Sequence, residues 1–204
     1  MVENKGKEQD FASLREEKLN EIMEELMAVP EITVLGIGNV VLQDEGFGVR
    51  AAEYLDNKYR FPHNVQIIDG GTLGMELLRF VTGTRKLLVI DSINGGAEPG
   101  TMFRFANDAV MEHFQEKLSV HEVGIQDVLA LLQVTGKSIP DVVVLGAQPY
   151  AVEAGVELTA DMMALLPETE QMVLTELKRW GVEPELKPEH PASIYTRVAE
   201  ETKK

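Results

Sequence analysis

The sequence predicts an α/β fold, in which helices pack against a largely parallel β-sheet. Segments with the composition of strands alternate along the chain with segments of helical periodicity, an order typical of α/β domains. The strand segments are almost continuously apolar, which indicates that both faces of the sheet are covered. The 204 residues are enough for one domain with a sizeable core.

Five elements are predicted in the first half of the chain. Residues 32–38, "ITVLGIG", combine β-branched and aliphatic side chains as buried strands do. In the helix that follows, Val49, Ala52 and Leu55 fall on one face. The five elements are strands over residues 32–38, 64–71 and 85–93 and helices over residues 46–59 and 74–83.

Four elements are predicted in the second half. The helix over residues 121–136 offers Val128 and Leu132 to the core. Thr159 is expected to cap the closing helix, and Pro167 is expected to break or kink it. The four elements are a short returning strand over residues 100–108, a helix over 121–136, a buried strand over 140–149 and a helix over 159–181.

Two flanking regions differ in composition from the α/β domain, which is assigned to residues 31–181. Residues 1–30 have a polar start and then apolar residues at helical spacing over positions 10–28, so an accessory amphipathic helix is expected there. Pro30 marks its end. Residues 182–204 are charged and contain proline, and a flexible tail is expected.

Charge and composition narrow the class of function. The chain has 19 basic and 34 acidic residues, a formal net charge of -15, which argues against nucleic acid and anionic membrane surfaces as partners. It has no cysteine, so disulfides, thiolate zinc sites and thiol nucleophiles are excluded. No signal-peptide core or membrane-spanning apolar run is found. We therefore expect a cytoplasmic protein. A monomeric free state is a separate expectation.

Acidic and imidazole side chains gather where the predicted strands end, and open α/β sheets bind ligands at that edge. In chain order these side chains are Asp44 and Glu45 after the first strand, Asp69 and Asp91 at the ends of the next two, and His121 at the start of a later helix. Carboxylates with an imidazole suit a borderline cation such as nickel or zinc. The spacing matches no short metal motif, so helix capping stays open for the first two and a turn role for the third.

A dinucleotide-binding turn is the alternative interpretation of the first loop. Gly36 and Gly38 give Gly-x-Gly after a strand, but Val41 stands at the third glycine position. Asp44 and Glu45 would also place two negative charges against a pyrophosphate. The pattern therefore favours a cation over an anion at this turn.

Five segments resemble, in the same order, the hydrogenase maturation endopeptidases, which trim the C-terminus of the nickel–iron hydrogenase large subunit. The segments are GIGNVVLQDEGFGVR, IIDGGTLGMELL, VIDSINGGAEPGT, SVHEVGIQDVLALLQVTG and VVVLGAQP. The resemblance runs from about residue 33 to residue 181. It implies a single-domain, three-layer α/β/α sandwich with a mixed, mostly parallel five-stranded sheet.

The resemblance also implies the metal and the residues that contact it. Glu45, Asp91 and His121 are carried over as the metal-contacting residues. In the family the metal is nickel already placed in the substrate, the large-subunit precursor, and no organic cofactor is expected. Gly46 and Gly48 are expected to let the backbone of the precursor approach closely.

A second segment is carried over for substrate recognition. Gly70, Gly71 and Thr72 are expected to bind the substrate, and Asp69 and Asp91 are the candidate catalytic carboxylates. Two other functions stay open, and the first of them would keep the same three metal-contacting residues. A nickel-checkpoint module would bind without hydrolysis, and a spore-type protease on a related fold would cleave metal-free substrates.

Overall fold

The computed structural model describes Lys18 and residues 29–107, 109–110 and 124–188, and a five-stranded sheet is its central element. The strands are β1 (Ile32–Ile37), β2 (Tyr59–Arg60), β3 (Val65–Gly71), β4 (Lys86–Ser92), β5 (Met102–Ala106), β6 (Asp141–Ala147) and β7 (Glu185–Leu186). The helices are α1 (Phe47–Lys58), α2 (Leu78–Val81), α3 (Ile125–Val134), α4 (Ala160–Met163) and α5 (Leu166–Arg179). Short 3-10 turns at Gln43–Gly46 and Gly74–Leu77 precede α1 and α2.

The central sheet is mixed and mostly parallel, as predicted. Its strand order is β3-β1-β4-β6-β5. Strand β1 pairs in parallel with β3 and β4, and β4 pairs in parallel with β6. Strand β5 runs antiparallel along β6. The four parallel strands therefore end at one edge of the sheet, called the carboxyl edge below.

Apolar clusters cover both faces of this sheet. On one face α1 and α5 pack on the strands through side chains such as Phe47 and Val173, both fully buried. On the other face α3 packs through Val128 and Leu132. The predicted three-layer α/β/α sandwich is confirmed.

Two predicted helices differ in detail. The segment over residues 74–83 forms a 3-10 turn followed by the short helix α2. The closing segment divides into α4 and α5, because Pro167 lacks the N–H of a helix interior and lies in the first turn of α5. The Oγ1 atom of Thr159 accepts a 3.2 Å hydrogen bond from the N–H of Met162. The predicted cap and the predicted break are both confirmed.

The chain remains attached to the domain after residue 181. Val182 is buried, and β7 pairs antiparallel with β2. Residues 182–188 therefore differ from the flexible tail predicted from composition, because two strand residues find a partner at the end of α1. Residues 189–204 and the helix predicted over residues 10–28, apart from Lys18, lie outside the described residues. Within the described residues, no helix has the length and apolarity needed to span a membrane.

Candidate functional site

The parallel register brings two of the predicted site carboxylates to neighbouring positions at the carboxyl edge. Gly36 of β1 lies opposite Asp69 of β3 on one side and opposite Ile90 of β4 on the other. Asp91 is the next residue along β4. Asp69 and Asp91 therefore flank the end of β1.

Helix α1 places Glu45 at the same edge, because its first turn packs directly on the ends of β1 and β4. A Cβ atom added to Gly48 would lie 2.0 Å from the carbonyl oxygen of Ile90 and 2.3 Å from that of Ile37. Only glycine allows this contact, and it fixes where the preceding 3-10 turn sits. Glu45 in that turn is half-buried.

Two expectations about the first loop are affected by this packing. Gly46 and Gly48 are both buried, and their missing side chains make room for the protein's own backbone. The expectation that they admit the backbone of a precursor is therefore wrong. Close packing of a helix on a strand at a glycine also occurs in dinucleotide-binding turns, so the dinucleotide interpretation is disfavoured instead by the carboxylates of Asp44 and Glu45 at this turn.

Asp44 is a fully buried carboxylate that holds a distant loop. Its Oδ2 atom accepts hydrogen bonds from the N–H groups of Tyr150 and Ala151, both at 3.0 Å, and from Thr159 Oγ1 at 2.9 Å. Its Oδ1 atom accepts a hydrogen bond from the N–H of Thr159 at 2.7 Å. Four donors thus compensate the cost of burying this charge.

Helix capping by Asp44, left open by the sequence, is not what the structure shows. The start of α1 and the preceding 3-10 turn have no side-chain cap hydrogen bond. The donors to Asp44 lie 106 to 115 residues further along the chain, so no local pattern could have predicted them. The side chain joins the loop after β1 to the loop after β6.

The Asp-Gly-Gly-Thr segment ends β3 at this edge. Asp69 is exposed, and its Oδ1 atom accepts a 3.0 Å hydrogen bond from the N–H of Gly71. Gly71 adopts φ +43°, in the left-handed region that favours glycine. Gly70 is buried against Leu35, so the accessible part of the predicted substrate-binding segment is Gly71 and the exposed Thr72.

The predicted metal-contacting set is only partly within the described residues. Glu45 and Asp91 are both half-buried, and Asp91 Oδ1 accepts a 2.7 Å hydrogen bond from the N–H of Ser92. His121 lies outside the described residues. Among the described residues, no group of three or more histidine, aspartate or glutamate side chains could hold a metal ion. The three-ligand set therefore stays a prediction.

Gln148, directly after β6, organises the loop that follows β4. Its Oε1 atom accepts hydrogen bonds from the N–H groups of Gly95 at 2.8 Å and Ala97 at 3.2 Å, and its Nε2 atom donates to Asn94 Oδ1 at 3.1 Å. The side chain is 7% exposed. The sequence indicates that this glutamine lies at the carboxyl edge but does not indicate its role. A polar residue directly after so apolar a strand is the one local feature that could have marked it as functional.

Comparison with known proteins gives a consistent result. The family model described as hydrogenase maturation protease matches residues 49–176. The hydrogenase expression/formation protein HupD of Rhizobium leguminosarum bv. viciae is 39% identical over 165 residues, covering 80% of this chain and 82% of that protein. The hydrogenase 2 maturation protease of Escherichia coli is 38% identical over 153 residues, covering 74% and 93%. The solved structure of the hydrogenase maturating endopeptidase HybD from E. coli superposes with a TM-score of 0.73 at 37% identity, covering 77% of this chain and 98% of that one.

Proposed function

The chain belongs to the hydrogenase maturation protease family and is a peptidase, and we propose that it removes the C-terminal extension of a nickel–iron hydrogenase large-subunit precursor after nickel insertion. Two of the relatives reported above, both from E. coli, carry hydrogenase maturation or maturating in their names, and HupD carries hydrogenase expression/formation. A cytoplasmic location and a monomeric free state are parts of the same proposal.

In this proposal Glu45, Asp91 and His121 contact the nickel that the precursor carries. The observation that supports it is the packing of Gly48 on Ile37 and Ile90, which holds Glu45 at the end of the strand that carries Asp91. Carboxylate and imidazole ligands suit nickel. In this proposal the protein recognises nickel as a part of its substrate. A precursor without nickel lacks these contacts.

Asp69 is proposed as the general base. Its carboxylate is exposed, and the N–H of Gly71 orients one of its oxygens. It takes a proton from the water whose oxygen bonds to the scissile carbonyl carbon. The C–N bond then breaks, and the same carboxyl returns the proton to the leaving amine. Nickel near the scissile bond would polarise the carbonyl.

The test is a cleavage assay on a precursor with and without bound nickel, read by mass spectrometry of the C-terminal peptide. We expect release of the peptide from nickel-loaded precursor only. Glu45→Gln and His121→Ala should each slow release at least about 100-fold, since loss of groups one shell further from a metal already costs about 10–100-fold. Glu168→Gln, which changes an exposed glutamate on α5, is the matched control and should cleave like the wild type.

The possible outcomes separate the proposals. Release from nickel-free precursor at the same rate contradicts the nickel-dependent mechanism and favours a metal-independent peptidase. Intact precursor in every reaction, with binding that still requires nickel, favours a checkpoint role without hydrolysis. Asp69→Asn should bind the precursor normally and fail to cleave it; normal cleavage would remove Asp69 from the mechanism.

A further inference from the structure

We propose that residues 150–157, called the 150–157 loop, form with Val41 the surface on which the precursor docks, through a stretch of its chain that carries apolar and basic side chains. This inference rests on the proposed function, because it names the part of the substrate that the protein holds away from the scissile bond. Three features of the loop support it: its attachment, its apolar exposure and its charge.

The loop is attached to the segment that carries Glu45. Leu42 and Gly155 form an isolated parallel bridge. The N–H of Gly155 donates to the carbonyl of Val41 at 3.0 Å, and the N–H of Gln43 donates to the carbonyl of Gly155 at 2.9 Å. Asp44 accepts hydrogen bonds from Tyr150 at the start of the loop and from Thr159 two residues beyond its end. A partner bound to the loop is therefore held next to the segment that carries Glu45.

The attached loop exposes apolar side chains that the fold does not use. Val41 is 55% exposed, Val152 50% and Val156 57%. None of the three belongs to either apolar cluster of the described residues. Because the backbone beneath them is already fixed by hydrogen bonds, a partner that covers them orders little additional chain on binding.

The charge around these valines defines the partner. Glu153 and Glu157 are exposed and alternate with the valines along the loop, and Asp161 is exposed just beyond it. Arg50, whose guanidinium donates to the carbonyl of Val156 at 3.1 Å, is also paired with Glu53. The whole chain carries a formal charge of -15. An apolar surface with a carboxylate rim is complementary to a segment that presents apolar side chains flanked by lysine or arginine.

The apolar part is tested with the full-length double variant Val152→Ser/Val156→Ser and nickel-loaded precursor. We expect KM to rise at least about 10-fold while kcat stays within about 2-fold, because the changed contacts act on binding and not on the scissile bond. Val134→Ser is the matched control, since Val134 is 86% exposed at the end of α3. Both variants should keep the wild-type melting temperature.

The charged part is tested by measuring KM between about 50 and 300 mM salt. For the wild type KM should rise with salt, since ions screen the attraction between exposed charges. Glu153→Gln/Glu157→Gln should raise KM at low salt and flatten this dependence. Glu168→Gln should keep the wild-type slope.

Each outcome supports or overturns the inference. A KM for the valine double variant equal to that of the control, in an enzyme that cleaves normally, overturns it and leaves the proposed function intact. A wild-type dimer that the double variant abolishes, with KM unchanged, assigns the surface to a second copy of the chain and also overturns it. Absence of cleavage by the wild type would instead contradict the proposed function.

Discussion

The buried carboxylates of α5 and the buried carboxylate of the first loop are stabilised in different ways. On α5, Glu170 accepts hydrogen bonds from Lys58 Nζ at 2.8 Å and Tyr59 Oη at 2.6 Å. Burial alone would raise the pKa of Glu170, but the hydrogen bonds from Lys58 and the tyrosines outweigh it and hold the pKa below its ordinary value. Asp44 is bonded instead to three backbone N–H groups and one hydroxyl.

A second glutamate on α5 follows the pattern of the first. Glu176 accepts hydrogen bonds from Arg104 Nε at 2.7 Å and Arg179 Nε at 2.9 Å. Burial would raise the pKa of Glu176, and the two arginines lower it overall. Lys58 shows the reciprocal effect: burial would lower its pKa, but the bonds to Glu170 and Tyr54 raise it.

The two kinds of donor, charged on one side and neutral on the other, give the buried carboxylates different roles. Between α1, β5 and α5, each buried carboxylate is paired with a cation. These pairs join the three elements and leave little net negative charge. At the first loop, neutral donors hold Asp44, so its negative charge is retained beside Glu45. A retained negative charge favours an approaching cation, in agreement with the proposed nickel-bearing substrate.

Among the changes that test this comparison, removal of Asp44 should cause the largest loss in the free energy of unfolding. Asp44→Ala leaves the N–H groups of Tyr150, Ala151 and Thr159 without their acceptor, and we expect a loss of about 3 kcal/mol in the free energy of unfolding. The loss should appear in urea unfolding, and hydrogen exchange should accelerate at those three amides. Asp161→Ala, an exposed carboxylate on α4, is the control. Unchanged exchange at the three amides would contradict the role given to Asp44.

Glu170→Ala should give the next largest effect and should act on stability alone. We expect a loss of about 2 kcal/mol, less than for a fully buried pair because Lys58 is partly exposed and can reach water. Cleavage by the folded enzyme at saturating precursor should stay within about 2-fold of the wild type. A large fall in kcat at a temperature where the variant is folded would show that the two regions are not separate.

Acid should reduce the free energy of unfolding that the α5 pairs contribute. The pKa of Glu170 and that of Glu176 are lower in the folded protein than the ordinary value of 4.5. Their stabilisation is therefore fully present above about pH 4.5 and is lost as the pH falls through the folded pKa. Unfolding free energy measured from pH 6 to pH 3 should fall less steeply in Glu170→Gln than in the wild type. Equal slopes would contradict the pairing.

The smallest effect is expected at the exposed ion pair between Lys178 and Glu183. Their side chains are 75% and 74% exposed, so solvent screens the attraction. Glu183→Gln should change the melting temperature by less than about 2 °C. A shift as large as that of Glu170→Ala would mean that burial does not decide the value of these pairs.

The fold was predictable because its signals are local. Apolar strands, helical periodicity, the cap at Thr159 and the break at Pro167 each depend on neighbouring residues. Strands β2 and β7 are two residues each, too short for a period to appear. The role of Asp44 depends on donors more than 100 residues away, which no sequence pattern records.

The candidate site was predictable in part. Asp69 and Asp91 could be placed because parallel strands end together, and the structure has them on either side of β1. The buried positions of Gly46, Gly48 and Gly70 could not, since a glycine that admits a ligand and a glycine that admits the protein's own backbone look the same in a sequence.

The central claim is that this edge contacts nickel carried by the substrate. The most direct measurement is the nickel X-ray absorption spectrum of loaded precursor, alone and freeze-quenched with an excess of the protein before cleavage. The account predicts additional nitrogen and oxygen scatterers around nickel in the mixture, fewer of them with Glu45→Gln, and no difference between Glu168→Gln and the wild type. A nickel spectrum that the protein leaves unchanged, under conditions where the precursor is bound and then cleaved, would contradict it.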